Sequence, residues 1–156
     1  MSKLLNVVLV HPEIPQNTGN ISRTCAVTDV ALHIIKPMGF EISDRTLKRA
    51  GLDYWHLLEV SYYDSFEEFT SVHGDMPMYF FTASAKSRFD NVEYPEGCFL
   101  VFGKESSGLE REIIEPNMER TVRIPMRDGV RCLNLSNAVA VAVYHALDRL
   151  GFPDFV

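Results

Sequence analysis

An α/β fold built on a parallel sheet is predicted by three observations. The chain opens as strand, restrained loop and helix; short β-branched apolar runs then alternate with helical segments along the chain; and Cys98–Phe102 is apolar throughout, as a strand buried on both faces is. With 156 residues, 46% of them hydrophobic and 23% charged, the chain has the size and composition of one globular domain with a real core.

Leu4–Val10 is the first strand, and His11-Pro12-Glu13-Ile14-Pro15 supplies the turn chemistry behind it. Asn17 and Thr18 are good cap residues, and Ile21, Thr24, Cys25 and Thr28 follow at helical spacing, which predicts a helix from about Gly19 to Asp29. Ala31–Ile35 is a second strand, Asp44–Arg49 a short helix, Leu57–Tyr63 a strand, Phe66–Val72 a helix and Met78–Ala83 a strand. Cys98–Phe102 is a further buried strand. Glu110–Glu115 is a short helix ended by Pro116, and Thr121–Ile124 is the last strand. The run Ala138–Val143 has the period of a strand, but its continuation through Tyr144–Leu150, with Ser136 and Asn137 as caps, Gly151 at the stop and Pro153 beyond, favours a helix. Because that helix is apolar all round, it is expected to be buried all round. There is no repeat, low-complexity tract or linker.

Composition excludes several classes. No apolar stretch reaches the roughly 18 residues of a membrane span, and Met1–Val10 lacks the features of a secretory leader. Cys25, Cys98 and Cys132 are odd in number, widely spaced and never in a C-x-x-C pair, which fits a reducing, cytoplasmic setting rather than a disulfide framework or a zinc cage. The formal charge of −6 is confined to one segment, since residues 50–85 hold six acids and no base while the rest balances fifteen against fifteen. Small basic clusters stand outside it, at Arg45, Lys48 and Arg49, at Lys86 and Arg88, and at Arg120, Arg123, Arg127 and Arg131.

The sequence has no H-E-x-x-H, no G-x-S-x-G and no dinucleotide-binding G-x-G. Gly103-Lys104-Glu105-Ser106-Ser107-Gly108 has phosphate-loop spacing, but Leu109 and Glu110 stand where Lys and Ser or Thr are required. What remains is a Gly-bounded loop after a buried strand, open to close main-chain approach by a ligand or serving as a plain turn. Asn17-Thr18-Gly19-Asn20-Ile21-Ser22-Arg23 places an arginine on the first turn of a helix at the carboxyl end of the first strand, facing either solvent or a site that could grip phosphate. Asn134, Ser136 and Asn137 alternate with Leu133 and Leu135; capping accounts for Ser136 or Asn137 and leaves Asn134 over.

Taken together, Asn17–Arg23, Phe102–Leu109, and Ile124-Pro125-Met126 with Leu133–Ala138 resemble the three ordered motifs of the SPOUT RNA methyltransferases. Pro12–Asn17, Pro37-Met38-Gly39-Phe40 and Ala50-Gly51-Leu52-Asp53-Tyr54-Trp55 narrow the resemblance to the small TrmL (YibK-like) tRNA 2′-O-methyltransferases over essentially the whole chain. The resemblance implies helices on both faces of the parallel sheet, a carboxyl-terminal deep trefoil knot, and a single domain over 1–156 with no separate RNA-binding domain. It also implies a homodimer that, with the knot, encloses the last helix. The implied reaction is transfer of a methyl group from S-adenosylmethionine to the ribose 2′-hydroxyl of the wobble nucleotide, cytidine or modified uridine, in the anticodon region of tRNA, without a metal. Ala83, Gly103, Gly108, Ile124, Met126, Cys132 and Leu133 would meet the cofactor. Arg23 matches the family's essential arginine, read here as phosphate anchor and stabiliser of the developing alkoxide because guanidinium hardly gives up its proton. Asn17 and Glu105 would order the site, Asn134 would orient ribose or cofactor, and Arg127 and Arg131 would face RNA, which should avoid residues 50–85. Cys132 stands where these enzymes usually carry serine, and His145 where they usually carry glutamate, with a structural role expected for the latter. The alternatives are a ribosomal RNA ribose methyltransferase of the same fold, or a cofactor- or RNA-binding protein without catalysis.

Overall fold

The computed structural model describes residues 2–41, 55–130 and 132–156. The strands are β1 (Leu5–Val10), β2 (Ala31–Ile35), β3 (Val60–Tyr63), β4 (Met78–Phe81), β5 (Cys98–Phe102) and β6 (Thr121–Val122); the helices are α1 (Pro15–Thr28), α2 (Phe66–His73), α3 (Arg111–Ile114) and α4 (Leu135–Arg149). The helix expected at 44–49 lies outside the described residues. All five strand pairings are parallel, in the order β3-β2-β1-β5-β4-β6.

Every residue of β1, β2 and β5 is buried, because each lies between two neighbours with helices on both faces. Alternation of side chains splits the core. Val7, Leu9, Leu32, Ile34 and Leu100 pack on one face with Ile21 and Cys25 of α1 and Val139, Val143 and Leu147 of α4. Val8, Val10, Phe80, Phe99 and Val101 pack on the other with Phe69 of α2 and Ile113 of α3. Each fully buried Val or Leu contributes about 1.5–3 kcal/mol.

The second face also holds a polar exception. His33 Nε2 lies 3.1 Å from Asn6 Oδ1, its Nδ1 lies 3.0 Å from Tyr63 Oη, and Tyr63 Oη lies 3.0 Å from His73 Nε2. Since the Asn6 carbonyl only accepts, His33 donates to it from Nε2 and accepts the tyrosyl proton at Nδ1. Burial, with the charge of His73 as the smaller cause, lowers the His33 pKa to about 4.

Four expectations are corrected. α1 begins at Pro15 rather than Gly19: proline occupies the first helical turn, where its missing N–H costs nothing, and the N-cap is Ile14 without a side-chain cap. Arg23 is therefore the ninth residue of α1, two turns and about 12 Å beyond the helix start, and not on its first turn. Pro116 does not end helical structure; it opens a 3-10 turn over Glu115–Arg120. Within one chain α4 is buried on the side that meets α1 and the sheet and leaves Asn137, Val141, Tyr144 and Asp148 exposed, the side that the expected second subunit would cover. The strands expected at 57–63, 78–83 and 121–124 are shorter, at 60–63, 78–81 and 121–122.

The topology positions the site. The chain builds β1, β2 and β3 outward in one direction, then places β4 and β5 on the other side of β1, so the order reverses between β1 and β5. The crevice at the carboxyl ends of such a pair is where open α/β sheets hold ligands.

Candidate active site

Three loops meet at that crevice. The loop after β1 leads into α1, the loop after β5 carries Gly103–Gly108, and the segment before α4 carries Cys132–Asn134. The Glu105 carboxylate accepts hydrogen bonds from the Glu13 amide at 2.9 Å, the Ile14 amide at 2.7 Å and Asn17 Nδ2 at 3.2 Å. It thus caps α1 from 88 or more residues away, satisfying amides that no local side chain reaches and placing negative charge at the helix's positive end. In return, the Glu13 carboxylate accepts from Ser106 N at 2.9 Å and Ser106 Oγ at 2.7 Å, and these bonds lower its pKa. Asn17, buried, passes the connection on, its Oδ1 accepting from Asn134 Nδ2 at 3.0 Å. Asn134 Oδ1 accepts from the amides of Ser136 at 2.9 Å and Asn137 at 3.3 Å, so Asn134 is itself the cap of α4, the role the sequence suggested for Ser136 or Asn137.

The Gly103 loop folds on its own backbone. Lys104 and Gly108 form a bridge closed by Gly108 N to Lys104 O at 2.8 Å. A Cβ on Gly103 would stand 2.0 Å from the Gly108 carbonyl carbon, so no larger residue fits, and Gly108 has φ +70°. His11, at φ +55°, sits at the entrance with Nε2 3.1 Å from Glu110 Oε1.

Asn17, Glu105 and Asn134 are therefore joined directly. The expected cofactor residues occupy neighbouring carboxyl-end loops: Ala83 is exposed one residue after Thr82, whose amide bonds Val122 O at 3.0 Å, two residues before half-buried Ile124. Met126, Cys132 and Leu133 are exposed, and Cys132 is a free thiol; Cys25 and Cys98 are buried, each with its pKa raised to about 12 by burial. Arg23 is exposed on the same stripe of α1 as Gln16, Asn20 and Val27. Arg127 is exposed, and Arg131 lies outside the described residues. Glu13 and Ser106 carry the reciprocal lock, yet the sequence reading gave neither a role; the only local signal was an acid between two prolines directly after a buried strand. His145, half-buried between Phe89 and Tyr94 with ring centroids at 4.6 and 5.9 Å, has its pKa lowered by burial and touches none of these loops' hydrogen bonds. No group of His, Cys, Asp and Glu among the described residues is arranged to hold a metal ion, and no described helix is long and apolar enough to cross a membrane.

The sequence pattern of the SpoU rRNA Methylase family matches residues 4–144. The tRNA (cytidine(34)-2'-O)-methyltransferase of Escherichia coli K12 is 43% identical over 154 residues, covering 98% of each chain. A solved structure described as giving insight into 2-OH methylation of C/U34 on tRNA superposes with a TM-score of 0.89 at 42% identity, covering 95% of this chain and 97% of that one. The fold extends to the SpoU methyltransferase AviRb of Streptomyces viridochromogenes, solved with AdoMet, at a TM-score of 0.85 and 18% identity over 97% of this chain and 62% of that one.

Proposed function

The chain belongs to the SpoU rRNA Methylase family, and from that premise we propose that it methylates the ribose 2′-hydroxyl of the wobble nucleotide of tRNA, using S-adenosylmethionine. The observation that carries this reading is the hydrogen-bonded path Glu105–Asn17–Asn134, which gathers all three motifs at one crevice in a chain 43% identical, end to end, to an enzyme of that name.

The residues present fit the cofactor. Main chain of the self-closed Gly103 loop and the exposed apolar side chains Met126 and Leu133 suit a purine and the carbons flanking a sulfonium, and half-buried Ile124 extends that surface toward the core. S-adenosylmethionine brings a methyl group on a sulfonium centre, so no metal is needed. The protein's part is to align the 2′-oxygen, exclude water and stabilise the charge that develops there. Glu105, Asn17 and Asn134 hold the three loops in register. Asn134 positions rather than reacts, since its Oδ1 is already taken by the start of α4. Arg23 binds phosphate and stabilises the forming alkoxide, its guanidinium staying protonated.

The active unit is a homodimer whose contact includes the exposed apolar side chains Val27 of α1 and Val141 and Tyr144 of α4, 52%, 42% and 45% exposed within one chain. The carboxyl-terminal segment is tied as a trefoil knot. Support comes from its path: after β6 at the sheet edge the chain returns to the centre, and α4 then lies with one side on α1 and β1 and another against Phe89 and Tyr94 of the β4–β5 connection.

The test is transfer of labelled methyl from S-adenosylmethionine to unfractionated tRNA by the purified chain. Arg23→Ala should abolish transfer while leaving cofactor binding intact, and the label should map to a wobble ribose. Label found only in ribosomal RNA, or none in any RNA, overturns the assignment.

A further inference from the structure

Three candidates stand outside the site. The His33–Tyr63–His73 network is a closed hydrogen-bonding system inside the second core face. A cleft of about 540 Å³ at the other end of the sheet, between Tyr79, Tyr94 and Arg149, has its arginine already donating to Asp90 O at 2.7 Å. The third is a basic surface that the fold builds out of two distant stretches of sequence.

β4 and β6 are neighbours, and the segments leaving their carboxyl ends stay paired. Thr82 N donates to Val122 O at 3.0 Å, Arg123 N to Ser87 O at 2.9 Å and Phe89 N to Arg123 O at 2.8 Å, with Arg88 opposite Arg123 in a parallel bridge. Residues 82–89 and 121–127 thus form one ribbon, and neither stretch contains an acid. Arg88 is neutralised by Asp90, at 3.0 and 2.7 Å, from just outside the ribbon. Lys86, Arg123 and Arg127 are exposed, and none makes an ion pair with a described residue. The exposed acids of α2, Glu67 and Glu68, belong to the helix over the second core face.

Three cations without an ion pair among the described residues, on a ribbon beside the Gly103 crevice, are more than a solvated face, for two reasons. Gathering like charges on one ribbon, with Asp128 the acid next to Arg127, costs repulsion that a polyanion relieves, and the ribbon leaves the same carboxyl end of the sheet as the loops that gather the site. We propose that Lys86, Arg123 and Arg127 form a phosphate-binding ridge that seats the RNA backbone next to the methylated nucleotide. This rests on the methyltransferase reading above. It adds Lys86 and Arg123, and a division of labour in which the ridge supplies sequence-independent affinity and the crevice supplies chemistry.

The experiment is binding of unfractionated tRNA to the full chain by fluorescence anisotropy over a range of potassium chloride concentrations. Wild type is compared with Lys86→Gln/Arg123→Gln/Arg127→Gln and, as the opposite face, Glu67→Gln/Glu68→Gln. Each phosphate contact to a single strand contributes about 0.7 to the slope of log K against log salt, so the triple variant should lose about 2 from the slope and bind at least about 10-fold more weakly near physiological salt. Its S-adenosylmethionine affinity should match wild type, and the Glu67/Glu68 variant should match wild type in slope. A triple variant with wild-type slope and affinity overturns the ridge and leaves the methyltransferase reading standing. A wild-type chain that shows the ridge-dependent slope yet transfers no methyl group supports the ridge and overturns that reading; one that binds no tRNA overturns both.

Discussion

Asn17 and Asn134, 117 residues apart in sequence, share a hydrogen bond of 3.0 Å, and each spends the other end of its carboxamide on fixing a helix. Asn17 donates to the carboxylate that caps α1, and Asn134 caps α4. Both amide orientations are dictated by these partners, since a flip of either would set donor against donor or acceptor against acceptor. The crevice is thereby held by groups that anchor the two helices of one core face.

Glu105→Gln should damage structure and chemistry together. The carboxylate takes three N–H donors, and the amide would turn its NH2 toward at least one of them. Hydrogen bonds to charged groups are worth about 1.5–3 kcal/mol each, so a loss of about 2–3 kcal/mol in urea unfolding is expected. Methyl transfer should fall by at least about 10-fold, and retention of full activity in a steady-state assay would refute the ordering role.

Gly103→Ala and Gly108→Ala should separate sharply, although both change a glycine of the same loop. The Gly103 methyl meets backbone at 2.0 Å and has nowhere to go, so expression of folded protein or cofactor binding should be lost. Gly108 has open space at its Cβ and only its φ of +70° against it, a cost of about 1 kcal/mol visible as a modest shift in melting temperature.

His33 should make stability fall in mild acid. Its pKa is about 4 in the folded chain against an ordinary 6.5, so the unfolded chain takes the proton first. The contribution is complete above about pH 6.5, is lost as pH falls toward 4, and is flat below that. Between pH 7 and 4.5 this amounts to about 2 kcal/mol. His33→Gln should therefore show a shallower decline than wild type over that interval, with His73, whose pKa is also lowered by burial, accounting for part of the remainder.

Val141→Asp with Tyr144→Asp should convert a dimer into monomers. Both side chains are on the exposed stripe of α4 and out of the core, so far-UV circular dichroism should be unchanged while sedimentation velocity shows the single-chain mass. A wild-type chain that sediments as a monomer would refute the dimer.

How much of this was legible in the sequence depended on where the determining contact lay. β1, β2 and β5 are apolar at every core-facing position except Asn6 and His33 and so advertise themselves, and their bounds match to within a residue. The start of α1 is marked locally only by Pro15, because the Ile14 amide is taken by Glu105 from 91 residues away, and a search for a nearby side-chain cap stops at Asn17 and Thr18 instead. Displacing that start by four residues displaced Arg23 by about one turn. Asn134, Ser136 and Asn137 are all competent caps by type, and only the chain's return to Asn17 decides that Asn134 is the one used. The motif residues were recognisable as a set, whereas the Glu13–Ser106 lock, made between two of the motifs, was not.

The bond between Asn17 and the head of α4 also sets an order of events during synthesis. A nascent chain extended through the Gly103 loop already has β1, α1 and β5, yet the polar path through Asn17 has no terminus until residue 134 arrives. The polar path that holds the crevice is therefore closed only by the segment that leads into the last helix.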